Sequence, residues 1–358
     1  MAIHSAERPQ ERTATPGATS ARRAVHQNLG RLARLALLGS CVSCIFCGSS
    51  LADDSGTKET GRPAIRTMGG KQFWADELFF HKWRIQRNVL TGHCRLLDGS
   101  DHRHASGTFS HCQSTLGEIR RTKNLPPMRG KAVVVLHGLS RSRSSMESLC
   151  RFIENRGSYS VFNVDYPSTR RNVAGHARTL SRILDNLDGI EEINFVAHSM
   201  GNIVVRHYLG DQIRHTKGKQ IAPRIKRFVM LGPPNHGSRM ASAFDGSRLA
   251  KTIVGRPLEE LGDGWSTLEE RLAIPSFPFG IIAGGKNDPS GFNPLLPGDD
   301  DGTVTIESAR LAGASDFIVV PTLHSFLMED SQVHRYTLRF LDRGFFISRE
   351  ERKPIPTP

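Results

Sequence analysis

From Lys131 onward the chain alternates between short, continuous apolar runs and longer stretches whose apolar residues recur every three to four positions. The runs are KAVVVLHG (131–138), SVFNVDY (160–166), EINFVA (192–197), RFVMLG (227–232), FPFGIIAG (277–284) and DFIVVP (316–321). A strand covered on both faces has no polar side to present, so runs of this kind predict interior strands. Segments 145–156, 173–187, 202–213 and 330–345 carry the helical period instead. Ser144 followed by Glu147 predicts a capping box at the start of the first helix. Alternation of strands and helices predicts an α/β domain over 131–346, a mainly parallel sheet with helices on both faces.

Upstream the pattern changes. Residues 71–130 open with aromatic-rich KQFWADELFFHKWRIQRNVLTGHCRLLD, whose alternation around Trp83, Ile85 and Val89 predicts a hairpin. This region reads as a strand-rich N-terminal extension packed on the main domain. The following DGSDHRHASGTFSHC reads as a loop: His102, His104, His111 and Cys112 match no common zinc spacing. Residues 53–70 read as linker and 347–358 as a tail. Segment 238–276 contains Leu249, Ile253, Leu258, Leu261, Trp265 and Leu268, which suit either short helices capping a site or ordinary buried helix faces.

Residues 1–52 read as a targeting segment. A basic stretch ending in Arg31 and Arg34 precedes an apolar run from Leu35 to Ala52, and Ser50-Leu51-Ala52 supplies small residues before Asp53. Export with cleavage is the expectation. Alternatives are a membrane anchor formed by residues 35–52 and lipidation at Cys41. The segment also accounts for part of the formal net charge of +13, contributing six arginines and two glutamates. The remaining basic residues form no aromatic-interleaved stripe, so nucleic acid is not expected as a partner. Weak peripheral contact with anionic membranes is compatible with this charge. Of six cysteines, Cys41, Cys44 and Cys47 lie in the leader. Cys94, Cys112 and Cys150 remain, either as three thiols or with Cys94 and Cys112 bridged.

The candidate chemistry lies in VAHSMGN (196–202). Ser199 falls between a strand end and a helix start, with small residues Ala197 and Gly201 around it. So abrupt a reversal strains the apex residue and lifts its hydroxyl to a helix N-terminus, where amides favour developing negative charge. A serine hydroxyl needs a base, and the base needs an orienting carboxylate.

At these residues the sequence resembles the α/β-hydrolase superfamily, in particular bacterial lipases and esterases with Ala-x-Ser-x-Gly. LGPPNHGS (231–238) is similar to that branch and to its GPI-inositol-deacylase-like relatives. The resemblance covers roughly Lys131 to Phe346 and implies the chain order serine, acid, histidine. His324, directly after the last strand, stands where the family places its base. The amides of Leu139, after VVVLHG, and of Met200 stand where it places the oxyanion hole. Such a site acts on a small-molecule or lipid ester through an acyl-enzyme and calls for no metal or organic cofactor. An amidase or acyltransferase would use the same groups, whereas a non-catalytic binding protein of this fold would have no need of them.

Two carboxylates compete as the acid. Asp288 follows the strand FGIIAG, while Asp301 lies in GDDDGTVTIESA, where Gly302 permits a turn toward the histidine. Asp301 is the expectation. The neighbouring Asp299 and Asp300 leave open a solvated loop or a calcium site.

Overall fold

The computed structural model describes residues 71–215, 223–238 and 256–357. The expected leader 1–52, the linker 53–70 and part of the expected cap (239–255) lie outside the described residues. Among those described, no helix is long and apolar enough to cross a membrane.

Six strands form a wholly parallel sheet: β5 (Gly130–Leu136), β6 (Ser160–Val164), β7 (Ile190–His198), β8 (Ile225–Leu231), β9 (Phe279–Gly284) and β10 (Asp316–Val320). Their order is β10-β9-β8-β7-β5-β6. Within β5, Ala132, Val134 and Leu136 enter one core while Val133 and Val135 enter the other. That alternation explains the unbroken apolar run. Both faces of the strand are interior.

One core packs against helices α3 (Val173–Asp185) and α4 (Met200–His215), the other against α2 (Glu147–Arg156) and α7 (Ser331–Arg343). The capping box expected at Ser144 does not form. Arg143–Met146 make a tight 3₁₀ turn that runs straight into α2, so Ser144 lies inside it and its hydroxyl meets that of Ser142 instead.

The extension contains more regular structure than one hairpin. β1 (Trp74–Phe80), β2 (Trp83–Asn88), β3 (Cys94–Leu97) and β4 (Arg103–Gly107) form an antiparallel meander, followed by helix α1 (Phe109–Thr122). The region read as a loop therefore holds a strand and the start of a helix. Thr108 caps α1 by accepting from the His111 amide at 3.2 Å, and the helix buries only Cys112 and Leu116 fully. So narrow an apolar stripe is hard to distinguish from a polar loop. His104 bonds Asp98 at 2.8 Å on the exposed side of the meander. Cys94, Cys112 and Cys150 are free, buried thiols.

β6 is one edge of the main sheet, and the extension covers its end. The Asp76 amide donates to the Asp165 carbonyl at 2.9 Å, and the Asp165 amide donates to the Asp76 carboxylate at 2.6 Å. At the opposite edge, Asp316 in β10 accepts amides of Phe346 and Lys353, and Ile355 pairs with residues 313 and 314. The extension and the C-terminal segment thus each reach one edge strand of the sheet at one of its ends. Helices α5 (Arg256–Leu261) and α6 (Trp265–Glu269) bury Leu258, Leu261 and Leu268 in the core shared with α4.

Candidate active site

Ser199 follows the last residue of β7 and has φ 53°, a left-handed conformation that is unfavourable for a serine. Hydrogen bonds hold it there. Its amide donates to the Leu231 carbonyl at 2.9 Å, and Asn202 returns to the Ser199 carbonyl through both its amide (3.0 Å) and its side chain (2.9 Å). Asn202 also donates to Leu231 at 3.2 Å, binding the turn to the end of β8. Gly201 is required by β5. A Cβ there would lie 2.8 Å from the His137 carbonyl oxygen and 2.9 Å from that of Leu136.

The structure brings Ser199, His324 and Asp301 into one hydrogen-bonded chain. Ser199 Oγ lies 2.9 Å from His324 Nε2, and His324 Nδ1 lies 2.7 Å from Asp301 Oδ2. Asp301 is buried, and its second oxygen accepts the amides of Thr303 at 3.0 Å and Val304 at 2.7 Å. Those bonds fix the carboxylate plane, and Gly302 at φ 94° makes the turn that permits them. Val304 closes this turn, its carbonyl accepting the Asp301 amide at 3.1 Å. The His324 backbone is held too, its amide donating to the Asp301 carbonyl at 2.8 Å.

Asp288 is exposed and accepts from the Ser290 amide at 2.8 Å, whereas His324 Nδ1 pairs with Asp301. The other acidic neighbours have structural work. Asp299 accepts the amides of Lys286, Asn287 and Asp300, and Asp300 those of Asn293 and Gly302. Among the described residues no group of three ligating side chains is placed to hold a metal ion.

Met200 follows the serine in the chain, and Leu139 lies in the loop after β5. A Cβ on Gly138 would meet Ser199 Cβ at 3.0 Å, so the loop after β5 lies directly against the Ser199 turn. The Gly138 carbonyl accepts from His137 Nδ1 at 2.8 Å and from the Arg141 amide at 3.3 Å. Because a trans peptide points its carbonyl and its N–H in opposite directions, those bonds aim the Leu139 N–H the other way. Burial pulls the His137 imidazolium pKa down to about 4, so the ring is neutral and can pair a donating Nδ1 with an accepting Nε2. Tyr166 stacks on this ring at 4.2 Å and donates its hydroxyl to the His137 carbonyl.

Four further residues support this arrangement. His198 donates from Nε2 to the His324 carbonyl at 3.0 Å, and burial keeps its pKa well below the usual histidine range. Gly232, at φ 50°, lies beneath the His324–Asp301 pair. Arg206 and Asn235 meet at 3.1 Å and fasten the PPNHGS loop to α4. Gly232 and Asn235 had a sequence signal in their place in LGPPNHGS and His198 in its place in VAHSMGN, while Arg206 had none.

A parallel sheet covered on both faces, with Ser199 in a turn after β7, Asp301 after β9 and His324 after β10, defines an α/β hydrolase fold. A family model described as an α/β hydrolase of unknown function, DUF900, matches residues 147–245, from α2 past β8. A search of curated proteins finds no match. Similar solved structures include the mature lipase BlEst2 of Bacillus licheniformis, at 20% identity and TM-score 0.45, over 62% of this chain and 95% of that one. The lin2722 product of Listeria innocua is 16% identical with TM-score 0.43, over 64% of this chain and 99% of that one. Phospholipase PlaB of Legionella pneumophila is 18% identical with TM-score 0.46, over 60% of each chain.

Proposed function

We propose that this protein is a serine ester hydrolase of the lipase-like carboxylesterase type. The observation that carries the reading is the continuous chain from Ser199 Oγ through His324 to Asp301, at 2.9 Å and 2.7 Å, set on a strained turn at the head of α4. In this reading Ser199 Oγ attacks the ester carbonyl carbon while His324 Nε2 takes its proton. Asp301 holds Nδ1–H and stabilises the imidazolium that forms. The Leu139 and Met200 amides bind the oxyanion. His324 then protonates the leaving alcohol, and water, activated by the same imidazole, releases the acid from Ser199.

Nitrophenyl esters from acetate to palmitate, with matching anilides, test this. The wild type should hydrolyse esters, and Ser199→Ala should lose at least about a thousandfold in kcat. Turnover of anilides without esters would favour the amidase reading instead. Transfer to an added alcohol in preference to water would favour an acyltransferase. We further propose export, with a mature N-terminus near Asp53. N-terminal sequencing of protein from its native host should find that start, and a retained Met1 or a lipidated Cys41 would contradict it.

A further inference from the structure

We propose that Gln72, in the N-terminal extension, is a positioning residue for the loop that carries Leu139. This rests on the hydrolase reading above and adds a role for the extension, which otherwise only covers a sheet edge.

Gln72 lies in a 3₁₀ turn, Lys71–Phe73, immediately before β1. Its amide uses both ends. Nε2 donates to the Arg141 carbonyl at 2.8 Å, and Oε1 accepts from the Thr169 hydroxyl at 3.2 Å and the Thr169 amide at 3.4 Å. One side chain therefore splints the loop after β5 to the loop after β6. Arg141 is the third link: its amide holds the Gly138 carbonyl, and its guanidinium donates to the Ser325 carbonyl at 3.4 Å, next to His324.

The Gly138–Leu139 peptide is the point of leverage. The loop turns back through Ser140 at φ 57°, an unfavourable conformation that its surroundings must maintain. Arg141 is the last residue of that turn, and Gln72 is its anchor outside the hydrolase domain. The base of the extension is itself fixed: Asp76 exchanges backbone and side-chain bonds with Asp165, and Arg170 stacks over Phe73 at 4.8 Å. A displaced oxyanion donor costs turnover much more than ground-state binding, because the oxyanion exists only in the transition state.

Gln72→Glu and Gln72→Met keep the length of the side chain and remove the Nε2 donor. Each variant is titrated with a fluorophosphonate to count functional serines, and kcat is expressed per titrated site. Gain of the adduct by wild type is the check on the hydrolase reading itself. We expect kcat per site to fall by about tenfold or more with KM within about threefold. The inhibition constant of a trifluoromethyl ketone, which mimics the tetrahedral oxyanion, should rise by the same factor. A merely structural role would lower the melting temperature or the titratable fraction and leave kcat per site alone. Labelled wild type with both variants within about twofold in kcat per site would overturn the positioning role and leave the hydrolase reading intact. A wild type that does not label would overturn both. Should one variant fail to fold, the other and the ketone measurement still decide.

Discussion

At Gly232 a Cβ would lie 3.0 Å from His324 Nδ1, 3.2 Å from Asp301 Oδ2 and 2.9 Å from Leu327 Cδ1, on a backbone at φ 50°. Gly232→Ala should therefore push the pair apart. We expect kcat to fall at least about tenfold, with a stability loss of only about 1–2 kcal/mol, read by ester turnover and urea titration. Asp301 makes the sharper comparison. Asp301→Asn keeps the shape but presents the wrong partner to Nδ1, and should cut kcat by about a thousandfold or more at unchanged fold. Asp288→Asn should leave it near wild type; the reverse pattern would show that the wrong carboxylate has been chosen. These residues differ in how legible they were. Ser199, His324 and Asp301 sit at strand ends or glycine turns that leave a local trace. His198 and Gln72 act through partners 126 and 69 residues away, which no local pattern records.

Elements of the main domain were legible because a doubly covered sheet needs unbroken apolar runs, and each predicted run became a strand. The extension was less legible. Its meander buries charge: Asp76 is wholly buried and accepts from Gln86 at 2.8 Å and Arg84 at 3.4 Å as well as from the Asp165 amide. A strand with Asp-Glu at its centre does not read as interior until the partners across the sheet are known. Asp76→Ala would strand the Asp165 amide and the Gln86 donors and weaken the hold on Arg84. We expect a loss of about 3 kcal/mol in urea unfolding. An unchanged midpoint would mean that the extension is not secured through this carboxylate.

The molecule as a whole carries a set of histidines that must stay neutral. Burial pulls the pKa of His137 down to about 4 and that of His176 to about 3, and holds His198 well below the usual range. In the unfolded chain each titrates near 6.5, so between that value and the folded pKa the unfolded state binds more protons. Their contribution is fully present above about pH 6.5 and is lost as pH falls toward 4, at up to about 1.4 kcal/mol per pH unit for each ring. Asp76 and Asp300, whose pKa values burial raises, work in the opposite sense over part of that range. Calorimetry should show the melting temperature falling from pH 7 to pH 4.5, with a shallower slope in His176→Phe; an identical slope in that variant would contradict the assignment. The central claim, that this fold exists to present Ser199 as a nucleophile, is tested most directly by intact-mass and peptide mass spectrometry after treatment with a fluorophosphonate. The account predicts one adduct per chain, on Ser199, absent from Ser199→Ala and strongly slowed in His324→Ala. Folded wild-type protein that gains no adduct, or gains it on another residue, would contradict it.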